Sequence, residues 1–321
     1  MNAPIQSEHF TLYPLTEGVY AAIATEAGAG YSNSGLIDLG GQTLVFDAFE
    51  NPQAAEDLLK ASIKLTGRSP ETVIISHWHP DHWGGLQVFA SDMILATHAT
   101  RQAMLPIVIE MLTDKRDPSR MENELRQAEA RLAAESDPKK RQALQISITR
   151  QRYSLQALLT LEPTLPNLSF DGKIVFHGEQ RSVELIATGK GHTESDCILT
   201  LPQDRVAFIG DIGFFQSQPF MPYGFPSEWV SHLDDMTTWD IELFVPGHGS
   251  LGSKADLTLE ARYIQVLEDM IRRVVQAGGA VEDALHQNLP APFDAWQVVG
   301  HRFEANVRAS FERQRQSIDA S

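Results

Sequence analysis

The chain has 321 residues, 42 % hydrophobic and 21 % charged, with 22 Gly and 17 Pro, proportions that exclude collagen-like, low-complexity and largely disordered classes. Lys and Arg number 26 against 42 Asp and Glu, a formal charge of −16, which repels phosphate backbones and argues against nucleic acid as a partner. One cysteine, Cys197, forbids an intrachain disulfide. Without a signal-like N-terminus or an apolar run near the ~20 residues that span a bilayer, the expectation is a cytoplasmic protein with no membrane partner.

Short apolar runs with turn punctuation predict strands over 19–23, 35–39 and 43–46, an antiparallel meander closed by Gly40-Gly41. Helical spacing of Leu58, Leu59, Ile63 and Leu65 predicts a helix over 52–65, and Val73, Ile74 and Ile75 a buried strand. Residues 100–161 are poor in Gly and rich in Arg, Gln, Glu, Ala and Leu, and read as a helical hairpin. Its helices start at a capping box, Ser119 with Glu122, and at Asp137 before Pro138. The hairpin is expected either to be a solvated structural excursion or to cap a site or pair two copies of the chain. Leu144, Leu155, Leu158 and Leu159 must then bury somewhere. Strands follow over 173–176, 183–187, 198–201 and 206–209, then a helix over 227–238, a strand at Phe244-Val245 and an amphipathic helix over 257–285. Two sheets covered by helices, a layered α/β arrangement, is the expected architecture.

The strongest chemical signal is Ser76-His77-Trp78-His79-Pro80-Asp81-His82-Trp83-Gly84-Gly85, directly after the strand at 73–75. In extended chain, side chains two apart point the same way, so His77, His79 and Asp81 converge, and His82 turns inward as Pro80 opens a helix. Imidazole with carboxylate and no thiolate favours a catalytic metal site with an open position. Four ligand-type residues on one loop exceed the need of one zinc and point to two metals. Later strand ends each add a His or Asp beside Gly: Gly191-His192, Gly210-Asp211 and Gly247-His248.

In order and spacing these motifs resemble the metallo-β-lactamase superfamily over residues 12–252, apart from the helical insertion. The resemblance implies a four-layered αββα sandwich forming a single domain over 1–321, with the insertion at 100–165 and a C-terminal helical extension at 255–321. It implies two zinc ions per chain, with iron or manganese as alternatives: His77, His79 and His192 on one, Asp81, His82 and His248 on the other, and Asp211 bridging. Asp81 and Asp211 are the expected catalytic carboxylates, and Asp47, at the end of the strand at 43–46, the residue that orients the motif loop. A metal-bridging hydroxide is then the expected nucleophile. A net positive charge at the metals would still draw in anions. The expected function is hydrolysis of an ester-like bond of a small molecule: a lactone, thioester or carboxylic ester. The alternatives are a mononuclear iron enzyme resembling persulfide dioxygenases, a β-lactamase-like amide hydrolase, and a ligand-binding relative without turnover.

Two departures qualify the resemblance. The best-known zinc β-lactamases carry Cys where this chain has Asp211, and similar lactonases carry Tyr where it has Phe214; Tyr223 is a weak candidate for the missing proton donor. Trp78 and Trp83 either pack the loop or line a pocket, and the aromatic stretch from Phe214 to Phe225 is a candidate pocket wall. Cys197 is expected to be a buried strand residue. His98, His177, His232, His286 and His301 lack ligand neighbours, and Arg302, Arg308, Arg313 and Arg315 are expected on a solvated helix face.

Overall fold

A computed structural model describes residues 3–89, 93–113, 117–296 and 302–319; His301 lies outside them. The chain divides into two compact units, Met1–Phe170 with His177–Ser182, and Asp171–Phe176 with Val183–Ser321. The fold is mixed α/β with two sheets and helices, consistent with the αββα sandwich. Among the described residues no helix is long and apolar enough to cross a membrane.

The first unit holds an eight-stranded sheet whose spatial order follows the chain: β1 (Ile5–Gln6), β2 (Phe10–Thr16), β3 (Val19–Ala24), β4 (Ser34–Asp38), β5 (Thr43–Phe46), β6 (Thr72–Ile74), β7 (Met93–Thr97) and β8 (Leu168–Phe170). Pairing is antiparallel through β5, as the meander predicts, and parallel from β5 to β8. Parallel neighbours need a crossover. Helix α1 (Pro52–Thr66) supplies the first, opening on Pro52 and closing at Gly67 in the left-handed region (φ 74°). Its buried Ala54, Ala55 and Leu58 belong to the unit's core with Leu36, Val45 and Val73.

The insertion is the crossover between β7 and β8, expanded to α2 (His98–Thr113), α3 (Ser119–Ala134) and α4 (Pro138–Thr160). It is one helix longer than a hairpin. Asp137 caps α4 as predicted, accepting from the Lys139 and Lys140 amides. The capping box at Ser119 does not form. Asp117 is the stronger acceptor and takes both the amide and the hydroxyl proton of Ser119, so the serine oxygen is spent as a donor and Pro118 becomes the N-cap. Of the leucines needing burial, Leu144, Leu155 and Leu158 are half-buried and Leu159 is exposed, whereas Ile148 and Ala157 take the buried face of α4.

In the second unit the strand order is β13-β12-β11-β10-β9, from β9 (Lys173–His177), β10 (Ser182–Gly189), β11 (Asp196–Leu201), β12 (Val206–Phe215) and β13 (Leu243–Gly249). Cys197 is buried in β11, as expected. Helix α5 (Pro226–Thr237) carries the chain from β12 to its parallel neighbour β13. Trp229 on α5 is fully buried and donates its indole N–H to the Ile212 carbonyl.

The single helix expected over 257–285 is two, α6 (Lys254–Gln276) and α7 (Val281–Leu285), because Gly278 turns the chain left-handed at φ 72°. The last helix, α8 (Arg302–Asp319), overturns the reading of its arginines as a solvated face. Arg302 is buried and donates to the Gln218 carbonyl, and Arg313 donates to Met221 O. Asn306, also buried, accepts from the Met221 amide and donates to the Pro219 carbonyl, 2.8 Å each. Arg308, paired with Glu304, and Arg315 are exposed, as predicted. Asn306→Ala leaves two buried backbone groups unpaired and is expected to cost about 3 kcal/mol, measured as a lower denaturant midpoint at unchanged m-value.

Candidate metal centre

The first unit assembles the motif loop around one carboxylate. After β6 the chain bends at His77 and Trp78, is extended at His79 (φ −68°, ψ 137°) and then turns through a short 3-10 helix, Pro80–His82. Asp47 sits just past β5 in the left-handed region, φ 62°. Its Oδ1 accepts the Ser76 amide at 2.7 Å, and its Oδ2 accepts the Ser76 hydroxyl at 2.8 Å and His82 Nδ1 at 2.7 Å. The last bond fixes the tautomer: Nδ1 carries the proton and Nε2 keeps its lone pair, 3.5 Å from Asp81 Oδ2. Ser76 Oγ also lies 3.0 Å from His77 Nδ1, which turns His77 Nε2 to within 2.9 Å of His79 Nδ1. Ser32 Oγ donates to the Asp81 carbonyl at 2.6 Å and holds the far end of the loop. All four predicted loop residues are therefore brought together. Trp83 packs, buried, with its indole N–H on Trp78 O, and Gly84 passes so close to the Glu50 carbonyl that a Cβ would stand 1.9 Å from the oxygen.

In the second unit three further predicted residues converge. Asp211 and His248 do not follow their strands. Both strands continue past the predicted ends, so Asp211 lies inside β12 and His248 inside β13, where the β12–β13 register shifts. Such irregularities re-aim side chains within a sheet. Gly247 leaves room for the result, since a Cβ there would lie 1.9 Å from Asp211 Oδ1. Asp211 Oδ2 is 3.2 Å from His192 Nε2 and 3.5 Å from His248 Nε2. Phe214 is buried, not part of an open wall, and stacks on the His248 ring at 4.9 Å, with the Arg302 guanidinium 5.2 Å from its centroid. Tyr223 is 52 % exposed, its ring 6.1 Å from that of Phe220. His177 and His232 make ordinary hydrogen bonds, to Ser182 Oγ and Lys190 O.

Two carboxylates escaped the sequence reading. Asp196 accepts the Thr193 amide (3.0 Å) and hydroxyl (2.7 Å) and so closes the loop that presents His192; burial pushes its carboxyl up to about 8, against the pull of those bonds. Its signal was the spacing Thr193 to Asp196, the pattern of a side-chain-closed turn. Glu260 on α6 is fully buried and accepts the Phe214 amide at 2.8 Å. Burial, and then the charges of Asp211 and Asp256, hold its carboxyl well above the ordinary value. Nothing in its local sequence marked it. Burial likewise raises Asp47, offset by His82 and Ser76.

The donor chemistry fits a divalent metal. His77 Nε2 and His79 Nδ1, 2.9 Å apart, are close enough to share a proton or to face one cation, and buried imidazole and carboxylate without thiolate suit zinc or a similar ion. The metallo-beta-lactamase superfamily profile matches residues 27–248, more than half of the chain. The chain belongs to the metallo-β-lactamase superfamily. The residue groups able to hold a metal ion, His77, His79, His192 and Asp211 in one and Asp81, His82 and His248 in the other, fit that metal-dependent superfamily. Solved structures that share its fold include two that it covers almost entirely. A metallo-beta-lactamase from Pontibacter korlensis is 14 % identical with a TM-score of 0.56, the match covering 80 % of this chain and 99 % of that one. TMB-1 is also 14 % identical, with a TM-score of 0.55, the match covering 80 % of this chain and 97 % of that one. No curated protein matches the sequence.

Two outcomes follow from these contacts. Asp47→Asn keeps the shape but loses the anionic acceptor for His82, and is expected to weaken divalent-metal affinity about 10–100-fold, measured by chelator competition. Glu260 takes up a proton on folding, so it costs stability as pH rises above the ordinary glutamate value of 4.5. Glu260→Gln keeps an oxygen for the Phe214 amide and is expected to lose less Tm than the parent between pH 5 and pH 8, read from melts at both values.

Proposed function

We propose that this superfamily member is a dinuclear zinc hydrolase that cleaves an ester-like bond of a small molecule, a lactone, thioester or carboxylic ester. His77, His79 and His192 would hold one zinc, Asp81, His82 and His248 the other, and Asp211 would serve both. The observation that carries the reading is Asp211 Oδ2, which faces His192 Nε2 and His248 Nε2 at 3.2 and 3.5 Å, one imidazole from each set. A carboxylate oxygen can be shared between two ions.

Zinc at such a donor set supplies Lewis acidity and brings the pKa of water down to about 7. The chain's own residues do the rest. Asp47 keeps His82 in the tautomer that offers Nε2. Ser76 orients both His77 and Asp47. Asp81, the least buried of the ligand-type residues, is the carboxylate placed to take a proton from water and return it to the leaving oxygen. Phe214, stacked on His248, keeps bulk water from that side, which strengthens the interactions of charged groups there.

Protein purified without added metal is expected to carry about two zinc per chain and to turn over chromogenic esters, lactones or thioesters. Chelator should abolish that turnover and zinc restore it. Asp211→Asn is expected to lower metal content and cut kcat/KM by at least about 100-fold. A single iron per chain, or no chelator-sensitive turnover on any of these bonds, would overturn the reading.

A further inference from the structure

We propose that Arg150, delivered by helix α4 of the insertion, binds a carboxylate carried by the substrate, so that the hydrolysed ester or thioester belongs to an acidic small molecule. The starting point is an anomaly of charge. Four other arginines of the hairpin have partners: Arg120 with Glu124, Arg126 with Glu122 and Arg152 with Glu129, while Arg141 donates to the Leu132 and Glu135 carbonyls; Arg131, which has none among the described residues, is exposed to solvent. Arg150 has no ion pair among the described residues, in a chain of charge −16. It is half-buried, and its Nε is shut off from water with no acceptor among the described residues. Guanidinium is seldom left so without a reason, because a buried donor without a partner is costly.

Its place is equally specific. The guanidinium lies over the Tyr31 ring, 5.3 Å from the centroid, and with Nε shut off from water the fork of the two terminal nitrogens is what remains for a ligand. Tyr31 itself is held left-handed at φ 62°, unusual for an aromatic residue. The next residue, Ser32, donates to the Asp81 carbonyl at 2.6 Å. Arg150 is thus tied through two consecutive residues to the motif loop. Tyr153, three positions on and so on the same face of α4, stacks edge-on against His9 at 5.1 Å and donates to Glu8, and His9 Nδ1 accepts the Ala29 amide. Two anchors one turn apart fix α4 against the loop that carries Tyr31.

A planar fork matches a carboxylate, which takes two parallel N–H bonds. The inference leans on the hydrolase reading only for the bond that is cut; the carboxylate contact stands apart from turnover. The test therefore has two arms. In the first, glutarate, with glutaramide as the neutral control, is added to metal-free protein and Tm is followed. The parent is expected to rise by several degrees with glutarate alone, Arg150→Gln to lose most of that rise, and Arg150→Lys, which keeps the charge without the fork, to retain part of it. In the second, mono-4-nitrophenyl glutarate is compared with 4-nitrophenyl butyrate. The anionic-to-neutral ratio of kcat/KM should fall at least about tenfold in Arg150→Gln, through KM on the anionic ester. Equal glutarate shifts in parent and Arg150→Gln, or an unchanged ratio, would overturn the proposal. Should the parent hydrolyse neither ester, the hydrolase reading fails while the glutarate arm still decides Arg150.

Discussion

The buried carboxylate of Asp47 is the contact on which the candidate centre rests. It has three donors, two from Ser76 and one from His82, and it sits in a backbone conformation that a non-glycine residue rarely adopts. A charge removed from water must be compensated by nearby donors, and here the compensation is also what shapes the site. The same oxygen that stabilises Asp47 orients His82, and the same serine that satisfies Asp47 touches His77. Position and tautomer of the motif histidines are consequences of burying one acid at the end of β5.

The second unit reaches a comparable rigidity by different means. Asp211 and His248 lie inside strands and His192 in the loop between β10 and β11, each beside a glycine, and what steadies the segment after Asp211 comes from far along the chain. Glu260 on α6 holds the amide of Phe214, and Phe214 is sandwiched by His248 and the guanidinium of Arg302. Asn306 and Arg313 tie α8 to the backbone at 219–221. The C-terminal helices thus act on the segment after Asp211 through backbone groups, which costs little in side-chain freedom because the bonds are formed within an already packed core.

Legibility in the sequence followed how local each determinant was. The motif at 76–85 was readable because its ligands lie within a few bonds of one another, and the meander because Gly40 and Gly41 punctuate it. Strands β2, β7 and β8 were not read: Pro14 interrupts β2, and β7 and β8 are short runs whose strand character comes from their parallel partners. Asp211 and His248 were found as residues but misplaced past the strand ends, since a shift of register inside a strand leaves no mark on hydrophobic patterning. Arg302 and Asn306 were illegible for a deeper reason. A polar residue on an amphipathic helix reads as solvated unless the acceptor it covers is known, and those acceptors lie more than 80 residues earlier.

Net charge is a poor guide to what such a protein accepts. Exposed acids farther than the Debye length, about 8 Å at physiological ionic strength, are largely screened from a given point, so the excess of 42 acidic over 26 basic residues says little about any one site. What counts is the few charges shielded from solvent. On the insertion Arg120, Arg126 and Arg152 are paired with neighbouring glutamates and Arg141 with carbonyls. Against that background a single half-buried guanidinium over the Tyr31 ring can set the sign of the local field. The expanded β7–β8 crossover needs three helices to span no more than two adjacent parallel strands. Connectivity alone explains only the first of them; α4 is explained by what it brings to the loop at Tyr31.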